Sequence, residues 1–195
     1  MINLIAPINN LGYGITGLNV LKSLSRKAEV SLWPISQPQV TSQEDAEVVQ
    51  RAVNNAETPD WSAPCIRIWH QHDMSQFVGR GEKIGFPIFE LDEFKPIEKH
   101  HLSYLDKIFV CSEWAKDVVC DQIEFDPNLV FIVPLGVDSD VFSPTPIDNG
   151  QNNDTIFFNC GKWEVRKGHD VLSRAFNKAF EPQDNVQLHM MCDNP

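Results

Sequence analysis

At 195 residues, the chain has length for one large domain, or for one domain and part of another. Its 16 Lys and Arg against 27 Asp and Glu give a net charge of -11, which opposes a phosphate backbone, so no nucleic-acid partner is expected. The same acidity fits a polybasic membrane clamp poorly, and any peripheral membrane contact needs a local basic patch. Ile2 to Ala6 is a short apolar run closed by Pro7 and reads as a buried strand. Gly14 to Lys27 reads as a helix, with Ile15, Leu18, Leu21 and Leu24 at helical spacing and Lys22, Arg26 and Lys27 toward its end. A strand over Val30 to Trp33 and a helix over Ser42 to Asn55 follow. Cys65 to Trp69 and Ile84 to Phe89 read as strands, and Pro96 to Leu105 as a helix. Lys107 to Cys111 is a strand, Ser112 a natural N-cap for a helix through Ile123, and Leu129 to Val133 the next strand.

Short apolar runs alternating with amphipathic helices predict an α/β fold, a doubly wound parallel sheet covered on both faces. After Val133 the alternation pauses. Ser143-Pro144-Thr145-Pro146 leads into a polar stretch from Asp148 to Asp154 with linker composition. It then restarts with a strand at Ile156 to Cys160, a helix at Lys167 to Phe180 and a strand at Val186 to Cys192. The expected organisation is a Rossmann-like domain over residues 1–146 and the truncated start of a second over 147–195.

Cys65, Cys111, Cys120, Cys160 and Cys192 are odd in number and form no CxxC pair. They read as buried reduced thiols of a cytoplasmic protein rather than a zinc knuckle or redox pair. Met1 to Pro7 lacks the basic start of a signal peptide, and no apolar run approaches the roughly 20 residues of a membrane span.

Gly12-Tyr13-Gly14-Ile15-Thr16-Gly17 satisfies GxGxxG literally. In a dinucleotide site such glycines let the backbone approach a pyrophosphate at a helix N-terminus. Two features oppose NAD here. Pro7 to Leu11 intervenes between strand and glycines, and Val30-Ser31-Leu32-Trp33 runs into Pro34 without the ribose-binding acid. The remaining alternatives are a loop facing a ligand cleft, through Gly12, Gly14 and Gly17, or glycines that permit close packing of a turn.

Three segments together resemble the retaining glycosyltransferases of family 4, the group 1 transferases. They are Val110-Cys111-Ser112-Glu113-Trp114-Ala115; Val133-Pro134-Leu135-Gly136-Val137-Asp138 with Phe142 and Pro144; and Phe158 through Gly168, with its Gly161-Lys162 and Arg166-Lys167-Gly168. The resemblance spans essentially the whole chain and implies a GT-B fold of two Rossmann-like domains, one for the acceptor and one for the nucleotide. It implies transfer of a sugar from a nucleotide diphosphate sugar to a glycan, lipid-linked or other small acceptor, with retention and without a metal or other cofactor. Lys162 and Lys167 match the family's two diphosphate-binding cations, Lys162 keeping the charge of the more usual Arg without its bidentate fork. His70 and His72, in Trp69-His70-Gln71-His72-Asp73, stand near the family's sugar-binding His, and both remain candidates. Zinc binding by the pair needs a third ligand, which is not evident.

Glu90 and Asp92 either contact an acceptor hydroxyl or serve as capping or solvated carboxylates. The family's later E-x7-E motif is expected beyond the last residue of the chain. Glu90 and Glu98 have that spacing but precede Ser112, so they read as coincidence. Rival expectations are a non-catalytic binding module and, on the glycine run, an NAD(P) oxidoreductase.

Overall fold

The computed structural model describes residues 1–144 and 154–193, the side chain of Asp193 excepted. Contacts divide the chain into two compact units, Met1–Asp138 and Ser139–Pro195. The boundary expected between residues 146 and 147, with most of the polar linker, lies outside the described residues.

The first unit is a parallel six-stranded α/β sheet with a Rossmann-like arrangement. Its strands are β1 (Ile2–Ala6), β2 (Val30–Pro34), β3 (Cys65–Trp69), β4 (Lys83–Pro87), β5 (Lys107–Val110) and β6 (Val130–Ile132), in spatial order β2-β1-β3-β4-β5-β6. The helices are α1 (Gly12–Ser25), α2 (Gln43–Asn55), α3 (Pro96–Ser103) and α4 (Glu113–Gln122). Helix α2 opens where Ser42 accepts the Asp45 amide, and α4 where Ser112 accepts the Ala115 amide, so each cap satisfies a donor the helix cannot. Helix α1 starts two residues before the position expected from its apolar spacing. Asn9 Oδ1 takes the Leu11 amide at 2.9 Å and turns the chain, so Gly12 is already helical.

Register assigns the two sheet faces. Leu4, Leu32 and Ile66 are paired neighbours and join Leu21 of α1 and Val49 and Ala52 of α2 in one buried cluster. A second cluster gathers Leu102 of α3, Ile108 and Val110 of β5, and Val118 and Val119 of α4. The other face of β1–β3 is mixed, because alternation puts Asn3, Ser31 and Arg67 there beside Ile5 and Cys65. No α-helix lies between β3 and β4; that connection holds only a 3-10 turn at Gln71–Asp73. Arg67, 2% exposed, anchors it by donating to the Asp73 carbonyl at 2.9 Å and its carboxylate at 2.7 Å.

In the second unit, β7 (Thr155–Lys162) and β8 (Val186–Asp193) pair in parallel across α5 (His169–Ala179). Phe157 packs on Phe176 and Phe180, so that sheet face meets the helix. Ile156, Phe158 and Cys160 alternate to the other face and are exposed. This alters the expectation of buried thiols. Only Cys65 is buried, Cys160 is exposed and the other three are half-buried. Among the described residues, no helix is long and apolar enough to cross a membrane.

Candidate functional site

A sheet ordered β2-β1-β3 changes direction at β1, because the chain leaves β1 toward β2 and returns to pair β3 on its other edge. Loops at the strand C-termini diverge at such a point, and ligands of open α/β sheets bind there. The first turn of α1, the residues after β3 and those after β4 meet through Tyr13. Its hydroxyl donates to the Ile88 carbonyl and lies 3.1 Å from His70 Nδ1. The Tyr13 ring centroid is 4.4 Å from that of His70 and 5.4 Å from that of Trp69, and His72 stacks on His70 at 5.0 Å.

Burial holds the His70 imidazole below its ordinary range, with His72 adding to the effect, so it favours the neutral form. Burial likewise pushes the Tyr13 phenol well above its ordinary range, helped by the Cys111 thiol and the Glu90 carboxylate nearby. The phenol therefore stays protonated and able to donate. Residues from α1, from the end of β3 and from just after β4 and β5 thus share one neighbourhood at the strand ends.

His70 is half-buried inside this cluster, whereas His72 is exposed and passes its backbone carbonyl to His101 Nδ1 at 3.0 Å. Glu90 is exposed and close enough to act on Tyr13. Asp92 is exposed and has no hydrogen-bond or ion-pair partner among the described residues. Glu98 is 5% exposed and accepts the Lys95 amide at 2.7 Å, which makes it a cap for α3. That local duty explains its presence without any pairing with Glu90.

The three glycines separate. A side chain at Gly14 would fall on Asn9, and one at Gly17 on the Pro7 carbonyl; both glycines let α1 pack against the loop after β1. Gly12 meets nothing within 4 Å and is exposed. Of the alternatives open for the glycine run, close packing is what Gly14 and Gly17 do.

Lys162, the last residue of β7, and Lys167, in the 3-10 turn before α5, lie in the second unit. Both are exposed, and neither ammonium has a partner among the described residues. The turn ends at Gly168, whose φ of 66° is the left-handed conformation that glycine adopts without penalty. His169 follows, 2% exposed. It donates from Nε2 to the Lys162 carbonyl at 2.7 Å and is stacked by Trp163 at 5.1 Å. The end of β7 is thereby tied to the first turn of α5, where free amides and the helix dipole favour an anion. Tyr13 and His169 escaped the sequence reading. Both act through contacts that no local spacing announces: Tyr13 lies within the glycine run, and His169 directly follows the Phe158–Gly168 segment.

Two concavities lie elsewhere in the first unit. One of about 390 Å³ includes Trp33 and Arg67 in its lining. One of about 210 Å³ includes Lys83, His100 and Tyr104. Neither lining contains Tyr13 or His70. Among the described residues, no group of three or more His, Cys, Asp or Glu side chains is placed to hold a metal ion. Comparison with protein-family models and with curated proteins finds no match to this chain.

Proposed function

We propose that the chain belongs to a glycosyltransferase of the GT-B class, which moves a sugar from a nucleotide diphosphate sugar to an acceptor with retention. The observation that carries this reading is the Lys162–Gly168 turn. Two exposed ammonium groups without partners among the described residues lie on the turn leading to a helix N-terminus, as recognition of a diphosphate demands. The order of the three family-like segments along the chain supports the same reading.

In the reaction, the bond from the anomeric carbon to the diphosphate oxygen breaks with its electron pair going to the diphosphate, and the acceptor hydroxyl oxygen bonds that carbon on the face the diphosphate leaves, which retains the configuration. The hydroxyl proton passes to an oxygen of the departing nucleoside diphosphate. Negative charge grows on the leaving oxygen, and fixed cations lower the barrier most where charge develops. Lys162 and Lys167 take that role. His70, neutral and half-buried just after β3, takes a hydrogen bond from a sugar hydroxyl, and Glu90 and Asp92 lie on the acceptor side. The NAD reading finds no support at the glycine run, since Gly14 and Gly17 serve packing and β2 ends in Trp33-Pro34 without an acid.

Thermal unfolding with uridine, guanosine and adenosine diphosphate sugars, and with NAD as comparison, tests the reading. A ligand at about 100 times its Kd stabilises by roughly 2.7 kcal/mol. At least one sugar nucleotide is expected to raise Tm, and NAD is not. Stabilisation by NAD alone, or by none of the panel, would sink the proposal.

A further inference from the structure

Tyr13 has one hydroxyl proton and two partners. A carbonyl oxygen only accepts, so the bond to Ile88 consumes that proton. The phenolic oxygen then offers His70 only lone pairs. His70 Nδ1, 3.1 Å away, must therefore carry a proton and donate. A neutral imidazole has one N–H, so Nε2 keeps its lone pair. Aromatic rings on several sides hold the imidazole in this orientation: Tyr13 at 4.4 Å, Trp69 at 5.0 Å and His72 at 5.0 Å.

We propose that Tyr13 is a positioning residue that locks His70 as the Nδ1–H tautomer, so that Nε2 is a fixed acceptor which takes a hydroxyl donor and refuses an anion. The chain of donation runs His70 to Tyr13 to the Ile88 carbonyl. It begins after β3, passes through α1 and ends after β4, so the packing of three segments sets the chemistry of one nitrogen. The assignment also bears on the glycine run. Phosphate oxygens only accept when fully ionised, and a lone pair facing them repels. With Gly14 and Gly17 closed by packing, this corner of the sheet is built for a polyhydroxylated group and not for a pyrophosphate. The tautomer stands on the hydrogen bonds alone; that a sugar supplies the hydroxyl rests on the function proposed above.

The test is long-range 15N–1H correlation on protein labelled at histidine, at a pH well above the ordinary histidine range. His70→Asn identifies the His70 signals by their loss. The expected spectrum has a protonated Nδ1 and an unprotonated Nε2 at His70, and Tyr13→Phe populates the other tautomer while keeping the ring contacts. An Nε2–H tautomer in the wild type, or a tautomer unchanged in Tyr13→Phe, would overturn the role of Tyr13.

A second arm titrates inorganic phosphate and a panel of methyl pyranosides while the His70 Nε2 signal is followed. Pyranosides are expected to move it and phosphate is not, with binding weakened roughly fivefold in Tyr13→Phe by loss of one positioned hydrogen bond. A response to phosphate, or none to any pyranoside, would overturn the ligand class. Neither arm involves a nucleotide. Failure of the tautomer arm with diphosphate binding intact removes the role of Tyr13 and leaves the proposed function standing; loss of diphosphate binding with the tautomer as expected removes the proposed function and leaves the role of Tyr13.

Discussion

The first unit and the second carry the same strand–helix–strand alternation, yet only the first buries it. Leu4, Ile68, Ile108 and Val110 are all fully enclosed, whereas in the second unit His169 is the one buried residue among those described, with Phe158 66% and Val165 96% exposed. The pattern of apolar residues is equally good in both. What differs is the number of paired strands: an inner strand of six has neighbours on both edges, while each of β7 and β8 has one. Alternation specifies the local element, and burial depends on how many such elements stack. The two candidate regions differ accordingly. His70 is held by its own segment and by Tyr13, 57 positions away and itself fixed by Ile88, whereas Lys162 and Lys167 sit on the short local stretch between β7 and α5.

The largest effect expected from this contrast is in hydrogen exchange. Amides of β1 and β3 should open only with global unfolding, while those of β7 and β8 open at free energies several kcal/mol lower. Equal protection in the two units would break the comparison.

Glycine substitutions sharpen it at single sites. Gly17→Val drives a side chain onto the Pro7 carbonyl and should cost about 3 kcal/mol, the upper range for overpacking. Gly161→Ala adds a methyl with nothing within 4 Å and should stay within about 0.5 kcal/mol. Denaturant titration checks both, and similar losses at the two sites would contradict the packing assigned to the glycine run.

A smaller effect is expected with pH. The folded His70 titrates below the ordinary value of about 6.5 because burial disfavours its charge. Between the folded and unfolded values the unfolded chain binds more protons, so stability falls as pH drops through that window and is flat above it. His70→Asn should flatten that part of the stability profile relative to the wild type. An identical slope in the variant would remove His70 as its source.

Much of the fold was legible because it is local. Each strand and helix of the first unit follows from apolar spacing, and Ser42 and Ser112 cap where a serine before an apolar run should. Strand order was not legible, since pairing β1 with β3 joins residues some sixty positions apart. Nor was the charge inside β3. Arg67 interrupts an otherwise apolar strand and is buried because Asp73, six residues on, satisfies it. At the candidate site, the types of residue were visible and their partners were not. Tyr13 reaches His70 over 57 positions and Ile88 over 75, distances that no motif spacing encodes. The glycine run left two alternatives open, a loop facing a cleft or close packing of a turn, because spacing alone does not say what a glycine touches; Gly14 and Gly17 answer to the backbone of Asn9 and Pro7.

The central claim is that the turn carrying Lys162 and Lys167 recognises a diphosphate. Calorimetric titration of uridine, guanosine and adenosine diphosphates against the wild type and Lys167→Ala tests it most directly. The account predicts that at least one binds and that the variant weakens it tenfold or more, since a charged hydrogen bond contributes about 1.5–3 kcal/mol. Absence of binding by all three, or binding that Lys167→Ala leaves unchanged, would contradict it.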